Sequence, residues 1–347
     1  MTQQDPNITI LGDGQMGLVC AAVLAGQMSA GRVVLWSHER ASADRLEQTR
    51  ESSRLPGLRL PGRVKATGDG PAALRGADLV ISAIPTQFAR AVWSGLRREV
   101  PEHASVVSVA KGIEIGTLLR PTQIVADALN ELDGSGRISS RRGYAVLSGP
   151  TIAPELARYL PATMIAASDD AGLALRVQGL VSTGWLRVYT SADPIGVEIA
   201  GATKNVIAIA AGVLDGLRVG YNAKSALLAR GLAEIARLGV AMGARAETFF
   251  GLAGVGDLAT TCFSPEGRNR SCGEALGRGE SLDSYLARTD NVVEGVATCA
   301  SVMDLARRHG VEMPITAGVY SVLYERVDPI EGIQRLMSRE LKEERVG

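Results

Sequence analysis

The chain has 347 residues, 46% of them hydrophobic, which is long enough for two domains with sizeable cores. Its 37 basic and 37 acidic residues cancel, which argues against nucleic acid or a membrane surface as the partner and favours a small molecule. The opening MTQQDPN lacks the basic region of a signal peptide, and the longest uninterrupted apolar stretch, 206–214, is too short to span a membrane.

The cysteines predict a reducing compartment. No C-x-x-C pair occurs among them, and isolated cysteines commonly behave as small buried hydrophobes. We therefore expect an unexported, cytoplasmic protein with no membrane insertion, no nucleic-acid partner and no metal site. The four cysteines are Cys20, Cys262, Cys272 and Cys299.

Strand-like apolar runs alternate with helical patterns up to about residue 190. This alternation is typical of a parallel sheet covered by helices on both faces. The strand signal then ends, and Asp193 followed by Pro194 is typical of a helix start. We therefore expect a Rossmann-like doubly wound α/β domain over 1–192 and a mostly α-helical domain over 193–347. The predicted strands are 8–11, 32–36, 78–84, 104–110, 144–148, 163–168 and 186–190.

The first predicted strand is followed at once by GDGQMG, in which Gly12, Gly14 and Gly17 have G-x-G-x-x-G spacing. The first glycine permits a tight turn, the second lets a pyrophosphate approach the backbone, and the third allows close helix packing. The N-terminus of the following helix favours the negative charge. The motif in this context predicts a dinucleotide site. Asp13 is unusual there, because a carboxylate should repel a pyrophosphate unless it points away.

The second predicted strand is followed by SHER, residues 37–40, where the ribose of a dinucleotide is read. His38 and Arg40 could accommodate a 2′-phosphate, Glu39 could instead hydrogen-bond a free ribose, and all three could form a solvated loop. Because no acid stands immediately at the strand end, we expect NADP(H) to be preferred, with NAD(H) possible.

Polar residues recur where a dinucleotide enzyme needs them. SVAKGIE places Lys111 at the end of a strand, the edge at which open α/β sheets bind ligands. LSGPTIAPELA turns from a strand to a helix at Gly149 and Thr151, and GLAGVGDLATTC carries Asp257 among small residues. Lys204 lies within the apolar helical pattern GVEIAGATKNVIAIAAGVLDGL. Taken singly, each has a structural explanation, such as a capped turn or a lysine that snorkels to the surface.

Together these segments resemble the NAD(P)-dependent glycerol-3-phosphate dehydrogenase family. The resemblance covers nearly the whole chain, in order from GDGQMG through the segments above to GRNR and VVEGVATC. It implies reduction of dihydroxyacetone phosphate to sn-glycerol 3-phosphate by hydride transfer, which supplies the glycerol backbone of phospholipids. It also implies a homodimer.

The resemblance implies specific roles for the polar residues. Lys204 matches the proton acceptor, Lys111 the second active-site lysine, and Asp257 the carboxylate that orients the lysine. A lysine can serve as acid or base if its pKa is lowered, which a second cation and desolvation favour and Asp257 opposes. Arg268 and Asn269 match the contacts to the substrate phosphate. The full substrate-binding set is Lys111, Gly149, Thr151, Asp257, Gly267, Arg268 and Asn269. The cofactor-binding set is Gly12, Gly14, Gln15, Met16, Gly17, His38, Lys111, Ala153, Arg268, Val292 and Glu294.

The chain departs from the family pattern at several positions. Asp13, Gln15 and Met16 stand where the family reads G-A-G-S and then an aromatic residue, Gly267 replaces a serine, and Thr203 replaces a leucine. These changes bear on cofactor affinity and choice. Two alternatives stay open: a related dehydrogenase of the same build that acts on a 3-hydroxy acid or a ketoacid, and a nucleotide-binding regulatory protein with weakened catalysis.

Overall fold

The computed structural model describes residues 5–29, 31–289, 291–341 and 343–344. The chain divides into two compact units, Met1–Ala110 with Pro121–Pro194 and Lys111–Arg120 with Ile195–Gly347. The sequence-based division into 1–192 and 193–347 stays a prediction about domains. The compact units differ from it chiefly in grouping residues 111–120 with the second unit.

The first unit is built on one eight-stranded sheet of order β3-β2-β1-β4-β5-β6-β7-β8. The strands are β1 Ile8–Leu11, β2 Val33–Trp36, β3 Val64–Thr67, β4 Leu79–Ser82, β5 Ser105–Ser108, β6 Tyr144–Ser148, β7 Ala162–Ala167 and β8 Leu186–Ser191. Leu11 of β1 pairs with Trp36 of β2, so the carboxyl ends of these two neighbouring strands lie side by side.

Two features of the sheet differ from the sequence analysis. The apolar runs predict seven of the strands and miss β3, an edge strand in which buried Val64 and Ala66 alternate with exposed Lys65, so no apolar run forms. The expected parallel pairing is wrong between β6 and β7, which are antiparallel. The connection between these strands, residues 149–161, is long enough for a parallel crossover, but its only helix has five residues and the strand returns antiparallel beside β6.

Helices connect the strands of the first unit. Leu18 and Leu24 of the first helix are buried in one hydrophobic core with Ile8 and Ile10 of β1 and Leu35 of β2. The helices are α1 Gln15–Gln27, α2 Arg40–Thr49, α3 Gly70–Leu74, α4 Thr86–Leu96, α5 Pro121–Ala128, α6 Ala153–Ala157 and α7 Ala171–Val181. A single 3-10 turn, Arg97–Glu99, follows α4.

Helices also build the second unit. They are α8 Pro194–Gly216, α9 Tyr221–Ala241, α10 Ala246–Phe249, α11 Asp257–Phe263, α12 Arg268–Gly277, α13 Leu282–Ala287, α14 Glu294–His309, α15 Pro314–Tyr324 and α16 Pro329–Met337, with a π-helical turn, Leu252–Gly256, before α11. The first of them begins at Pro194, as predicted. Its apolar stretch Pro194–Leu217 is long enough to cross a membrane, but 89% of its 18-residue apolar window is buried inside the protein, as in a core helix.

Helix α12 packs directly against the backbone of α8. A Cβ atom on Gly273 would lie 1.9 Å from the carbonyl oxygen of Ile209, and one on Gly212 would lie 1.9 Å from that of Arg270. Such approaches are impossible for any side chain, so glycine at these positions sets the distance between the two helices. The N-terminus of α12, where Arg268 lies, is thereby fixed relative to the middle of α8.

The loop 111–120 is tied to the second unit by its own contacts. The guanidinium of Arg120 forms a buried ion pair with Glu198 of α8. The hydroxyl of Ser301 in α14 donates to the carbonyl oxygen of Ile113 at 3.2 Å. These bonds hold the loop that carries Lys111 against the helical unit.

Candidate active site

The glycine-rich loop of the first unit has the geometry of a pyrophosphate cradle. Gly12 has a φ of +111°, and a Cβ atom there would lie 2.6 Å from the carbonyl oxygen of Ala83. A Cβ atom on Gly17 would lie 1.9 Å from the carbonyl oxygen of Gly12, whereas one on Gly14, just before α1, would meet nothing within 4 Å. The loop therefore combines a tight turn, close helix packing and an open approach to a helix N-terminus, as a dinucleotide requires.

The carboxylate of Asp13, which follows Gly12 in this loop, is compensated by two partners. It is buried and accepts from the hydroxyl of Ser42 at 2.6 Å and from Nη1 of Arg54 at 2.5 Å. Gln15, a cofactor-contact prediction, donates from Nε2 to the carbonyl oxygen of Arg54 at 3.0 Å. The sequence analysis missed Arg54, which lies in a loop and belongs to no motif.

The end of β2 offers polar groups for a ribose. The hydroxyl of Ser37 is buried, and within the part of the chain that the structure describes it has no hydrogen-bond partner. His38 is exposed and packs edge-on against Trp36, with ring centroids 6.0 Å apart. Glu39 and Arg40, at the start of α2, are also exposed. A buried hydroxyl that needs a partner, at this position, fits a ligand that binds at the strand end.

The other predictions in the first unit lie in the turn after β6 and at the start of α1. Gly149 has a φ of +126° and accepts at its carbonyl oxygen from the hydroxyl of Thr151 at 3.1 Å. Ala153 is buried at the beginning of α6, and the side chain of Met16 packs against the hydrophobic core. Their contacts with substrate or cofactor stay predictions.

Lys111, Lys204 and Asp257 come together in the second unit. Nζ of Lys204 donates to Oδ1 of Asp257 at 2.5 Å and to the hydroxyl oxygen of Thr261 at 2.5 Å. Nζ of Lys111 donates to Oδ2 of Asp257 at 2.8 Å. The side chains of Asp257 and Lys204 are only 1% and 7% exposed. One buried carboxylate is therefore shared by two ammonium groups, one on each oxygen.

Burial lowers the pKa of Lys204 to about 8, because removal from water disfavours the charged form. The negative charge of Asp257 opposes this effect, and the positive charge of Lys111 adds to it. A lysine with a pKa of about 8 exchanges its proton near neutral pH, which an exposed lysine does not. Lys204 therefore has the properties of an acid–base group.

Two polar residues support this arrangement and were not among the predicted site residues. The hydroxyl of Thr261, one turn after Asp257 in α11, donates to the carbonyl oxygen of Asp257 at 2.7 Å. Nδ2 of Asn205 donates to the carbonyl oxygen of Lys111 at 3.4 Å. The sequence signal for both is the presence of a polar side chain within an apolar segment. They position the groups that flank them.

The N-terminus of α12 presents the predicted phosphate-binding residues. Arg268 is the first residue of this ten-residue helix and is exposed, with Gly267 just before it. Asn269 is buried, and its Oδ1 accepts from the backbone N–H of Gly295 at 2.8 Å. Because the oxygen is used in this way, the amide nitrogen is the group that Asn269 can offer to an anion.

Glu294, the first residue of α14, lies within electrostatic range of the cationic groups. Burial raises its pKa, while the positive charges of Arg268, Lys111 and Lys204 act in the opposite direction. The second unit therefore gathers these three cations around a partly buried carboxylate. Val292, also predicted to contact the cofactor, is 39% exposed.

Family models match both parts of the chain. The model of the NAD-dependent glycerol-3-phosphate dehydrogenase N-terminus matches residues 7–174, and that of its C-terminus matches residues 193–334. The fold is also shared with a PanE/ApbA family ketopantoate reductase from Ralstonia eutropha, at 15% identity and a TM-score of 0.59 over 94% of this chain and 99% of the reductase.

Individual relatives are similar over nearly their whole length. A glycerol-3-phosphate dehydrogenase [NAD(P)+] from Chlorobium limicola is 44% identical over 97% of this chain and 99% of its own. Glycerol-3-phosphate dehydrogenase [NAD(P)+] 2 from Mycobacterium bovis is 43% identical over 97% and 98%. The crystal structure of glycerol-3-phosphate dehydrogenase from Coxiella burnetii has a TM-score of 0.89 at 34% identity, over 96% of this chain and 99% of that one. The chain belongs to the NAD-dependent glycerol-3-phosphate dehydrogenase family.

Proposed function

We propose that the chain is an NAD(P)-dependent glycerol-3-phosphate dehydrogenase that reduces dihydroxyacetone phosphate to sn-glycerol 3-phosphate. The observation that carries this proposal is the buried Lys111–Asp257–Lys204 cluster. A lysine whose pKa lies at about 8 suits a reaction in which a ketone gains a proton in one direction and an alcohol loses it in the other.

The proton moves through Lys204. The nicotinamide cofactor, when bound, supplies the hydride for the carbonyl carbon and takes it back in the reverse reaction. As the carbonyl oxygen gains negative charge, the ammonium of Lys204 donates one proton to it and becomes a neutral amine. In the oxidation of the alcohol, the amine accepts that proton. Asp257 holds Nζ at 2.5 Å, which fixes the direction from which the proton is delivered.

The substrate phosphate is assigned to the N-terminus of α12. The backbone N–H groups of a helix N-terminus favour an anion, and the planar guanidinium of Arg268 matches two phosphate oxygens. The amide nitrogen of Asn269 supplies a further donor. The absence of a side chain at Gly267 leaves room beside these groups. Together they select a phosphorylated ketone over a ketoacid.

The first unit fits a dinucleotide, and we propose a preference for NADP(H). Gly12 and Gly17 form the turn that a Cβ atom would disrupt, and the buried hydroxyl of Ser37 offers a hydrogen bond at the ribose end. His38 and Arg40 are exposed at the start of α2, where a helix N-terminus also favours a 2′-phosphate.

We further propose that the protein is a cytoplasmic homodimer whose product enters phospholipid synthesis. The free and buried state of all four cysteines supports a reducing compartment. The homodimer rests on the family resemblance, and light scattering after size-exclusion chromatography tests it.

Oxidation of NADPH and NADH by the purified protein, followed by absorbance, tests the activity. Dihydroxyacetone phosphate is the substrate in one series and a ketoacid such as ketopantoate in another. We expect turnover of the phosphorylated ketone with either cofactor and none of the ketoacid. Turnover of the ketoacid alone would overturn the proposal in favour of a related dehydrogenase, and nucleotide binding with no turnover of either substrate would support a regulatory protein.

A further inference from the structure

The guanidinium of Arg54 lies between two carboxylates of the first unit. Its Nη1 is 2.5 Å from Oδ1 of Asp13, and its Nη2 is 3.7 Å from Oε2 of Glu39. The two carboxylates differ in exposure, since the side chain of Asp13 is 6% exposed and that of Glu39 is 67% exposed. Asp13 is therefore a firm partner of Arg54, and Glu39 is a loose one that solvent can replace.

The position of these carboxylates places Arg54 at the ribose end of the dinucleotide site. Asp13 follows Gly12 in the loop after β1, and Glu39 directly precedes α2 in the loop after β2. These strands are neighbours in register, so their carboxyl ends lie side by side. In doubly wound sheets this edge is where the ribose of the adenosine half is read. A guanidinium that contacts both loops lies at that edge as well.

Space for a small polar group lies beside Arg54. A cavity of about 140 Å³ lies there, lined by polar residues except for Ala41 and Leu46, and it is too small for a whole dinucleotide. The charged groups around it are Glu39, Arg45, Glu51 and Arg54. A phosphate group in this cavity would find two guanidinium groups, and it would displace the exposed Glu39 rather than the buried Asp13.

We propose that Arg54 binds the 2′-phosphate of NADP(H), that Asp13 is the positioning residue that holds the guanidinium in place, and that Glu39 opposes binding of the phosphate. This inference rests on the proposed function. It gives a role to Asp13 and Gln15, two of the departures from the family pattern. Asp13 binds the guanidinium of Arg54 and Gln15 binds its backbone, so both fix one residue.

The test uses isothermal titration calorimetry to compare the binding of two ligands, which are the adenosine halves of NADP(H) and of NAD(H). The ligand 2′,5′-ADP carries the 2′-phosphate of NADP(H), and 5′-AMP lacks it, so the ratio of their dissociation constants isolates the phosphate. We expect the full chain to bind 2′,5′-ADP more tightly. Arg54→Gln should reduce the ratio about tenfold or more, because a charge-assisted hydrogen bond is lost, and should leave 5′-AMP binding nearly unchanged. Glu39→Gln should increase the ratio severalfold.

Arg59→Gln is the matched control. Arg59 is an exposed arginine of the same loop, and its substitution removes the same charge. It should change the ratio less than about twofold. Asp13→Ala should lower the ratio in the wild-type background and have no further effect with Arg54→Gln, since it acts through Arg54. If Arg54→Gln does not fold, Arg54→Lys keeps the charge without the planar fork and should still lower the ratio.

The outcomes separate this inference from the proposed function. An unchanged ratio in the Arg54 variants, or equal losses for both ligands, would overturn the role of Arg54 while turnover of dihydroxyacetone phosphate continued. A wild-type protein that binds 5′-AMP as tightly as 2′,5′-ADP would overturn it too. A wild-type protein that binds no nicotinamide nucleotide would overturn the proposed function, and this inference with it.

Discussion

The role of Lys204 in the chemical step can be tested by Lys204→Met. Methionine keeps an unbranched apolar chain in the middle of α8 but removes the ammonium and its bonds to Asp257 and Thr261. Because the cofactor is held mainly by the first unit in our proposal, the variant should still bind NADPH. It should lose the proton donor for the developing alkoxide.

The expected size of the effect follows from these contacts. Removal of a positioned acid or base typically lowers the rate about a hundredfold to ten-thousandfold, which corresponds to about 2.7 to 5.4 kcal/mol of barrier. The free energy of unfolding should fall much less, by about 1 to 3 kcal/mol, because the carboxylate of Asp257 keeps Lys111 at 2.8 Å as a partner. A loss of rate that exceeds the loss of stability is the signature of a catalytic group.

Lys224→Met is the matched control for this experiment. Lys224 is also buried in the second unit and paired with one carboxylate, that of Asp215 at 2.8 Å, which keeps Arg270 at 2.6 Å when the lysine is removed. We expect similar losses of stability in both variants by urea unfolding and a large loss of kcat in Lys204→Met alone. Wild-type turnover in Lys204→Met, or equal losses of kcat in both variants, would refute the acid–base role.

Three further predictions concern the same reaction. As the pH rises through about 8, the rate of ketone reduction should fall and that of alcohol oxidation should rise, because Lys204 loses its proton. pH–rate profiles measured in both directions test this, and profiles without a midpoint near pH 8 would contradict it. Lys111→Met should move the midpoint of the pH–rate profile to higher pH, because Lys111 lowers the pKa of Lys204. Asp257→Asn should move the midpoint to lower pH, because Asp257 raises that pKa, and shifts of the same sign in both variants would contradict the assignment of the midpoint to Lys204. Arg268→Ala should weaken use of dihydroxyacetone phosphate far more than that of dihydroxyacetone, by a charge-assisted hydrogen bond of about 1.5 to 3 kcal/mol, and equal kcat/KM losses would move Arg268 out of the phosphate site.

The fold was predictable where burial leaves a mark on the sequence. Most of the predicted strands are apolar because helices and neighbouring strands cover them, and the start of α8 at Pro194 follows from the fixed φ of proline. The edge strand β8 has exposed residues but is longer than β3 and carries Val188 and Tyr189, residue types that favour strands. The edge strand β3 leaves no such mark, because one of its faces is exposed at Lys65. The antiparallel pairing of β7 was not predictable either, since strand direction depends on the connection and not on the composition of the strand.

The site was predictable to the extent that its residues belong to motifs. From the residues alone, Lys204 could have been a lysine that snorkels to the surface, and only the family resemblance favoured the chemical role. Only the structure shows that its side chain is 7% exposed and that it bonds to Asp257, which is 53 residues away in the chain. Arg54 was beyond sequence reasoning, because its partner Asp13 is 41 residues away and neither position predicts the other.

The presence of two lysines on one carboxylate has a physical explanation in the proposed reaction. With Lys204 alone, loss of its proton would leave the buried charge of Asp257 without compensation, which is costly at low exposure. Lys111 stays on the other oxygen at 2.8 Å, so the site changes from a net charge of +1 to a neutral Lys111–Asp257 pair when Lys204 gives up its proton. The extra cation also lowers the pKa of Lys204 against the pull of Asp257. Burial and a second lysine together outweigh the carboxylate and allow a residue that is ordinarily a strong base to exchange its proton near neutral pH.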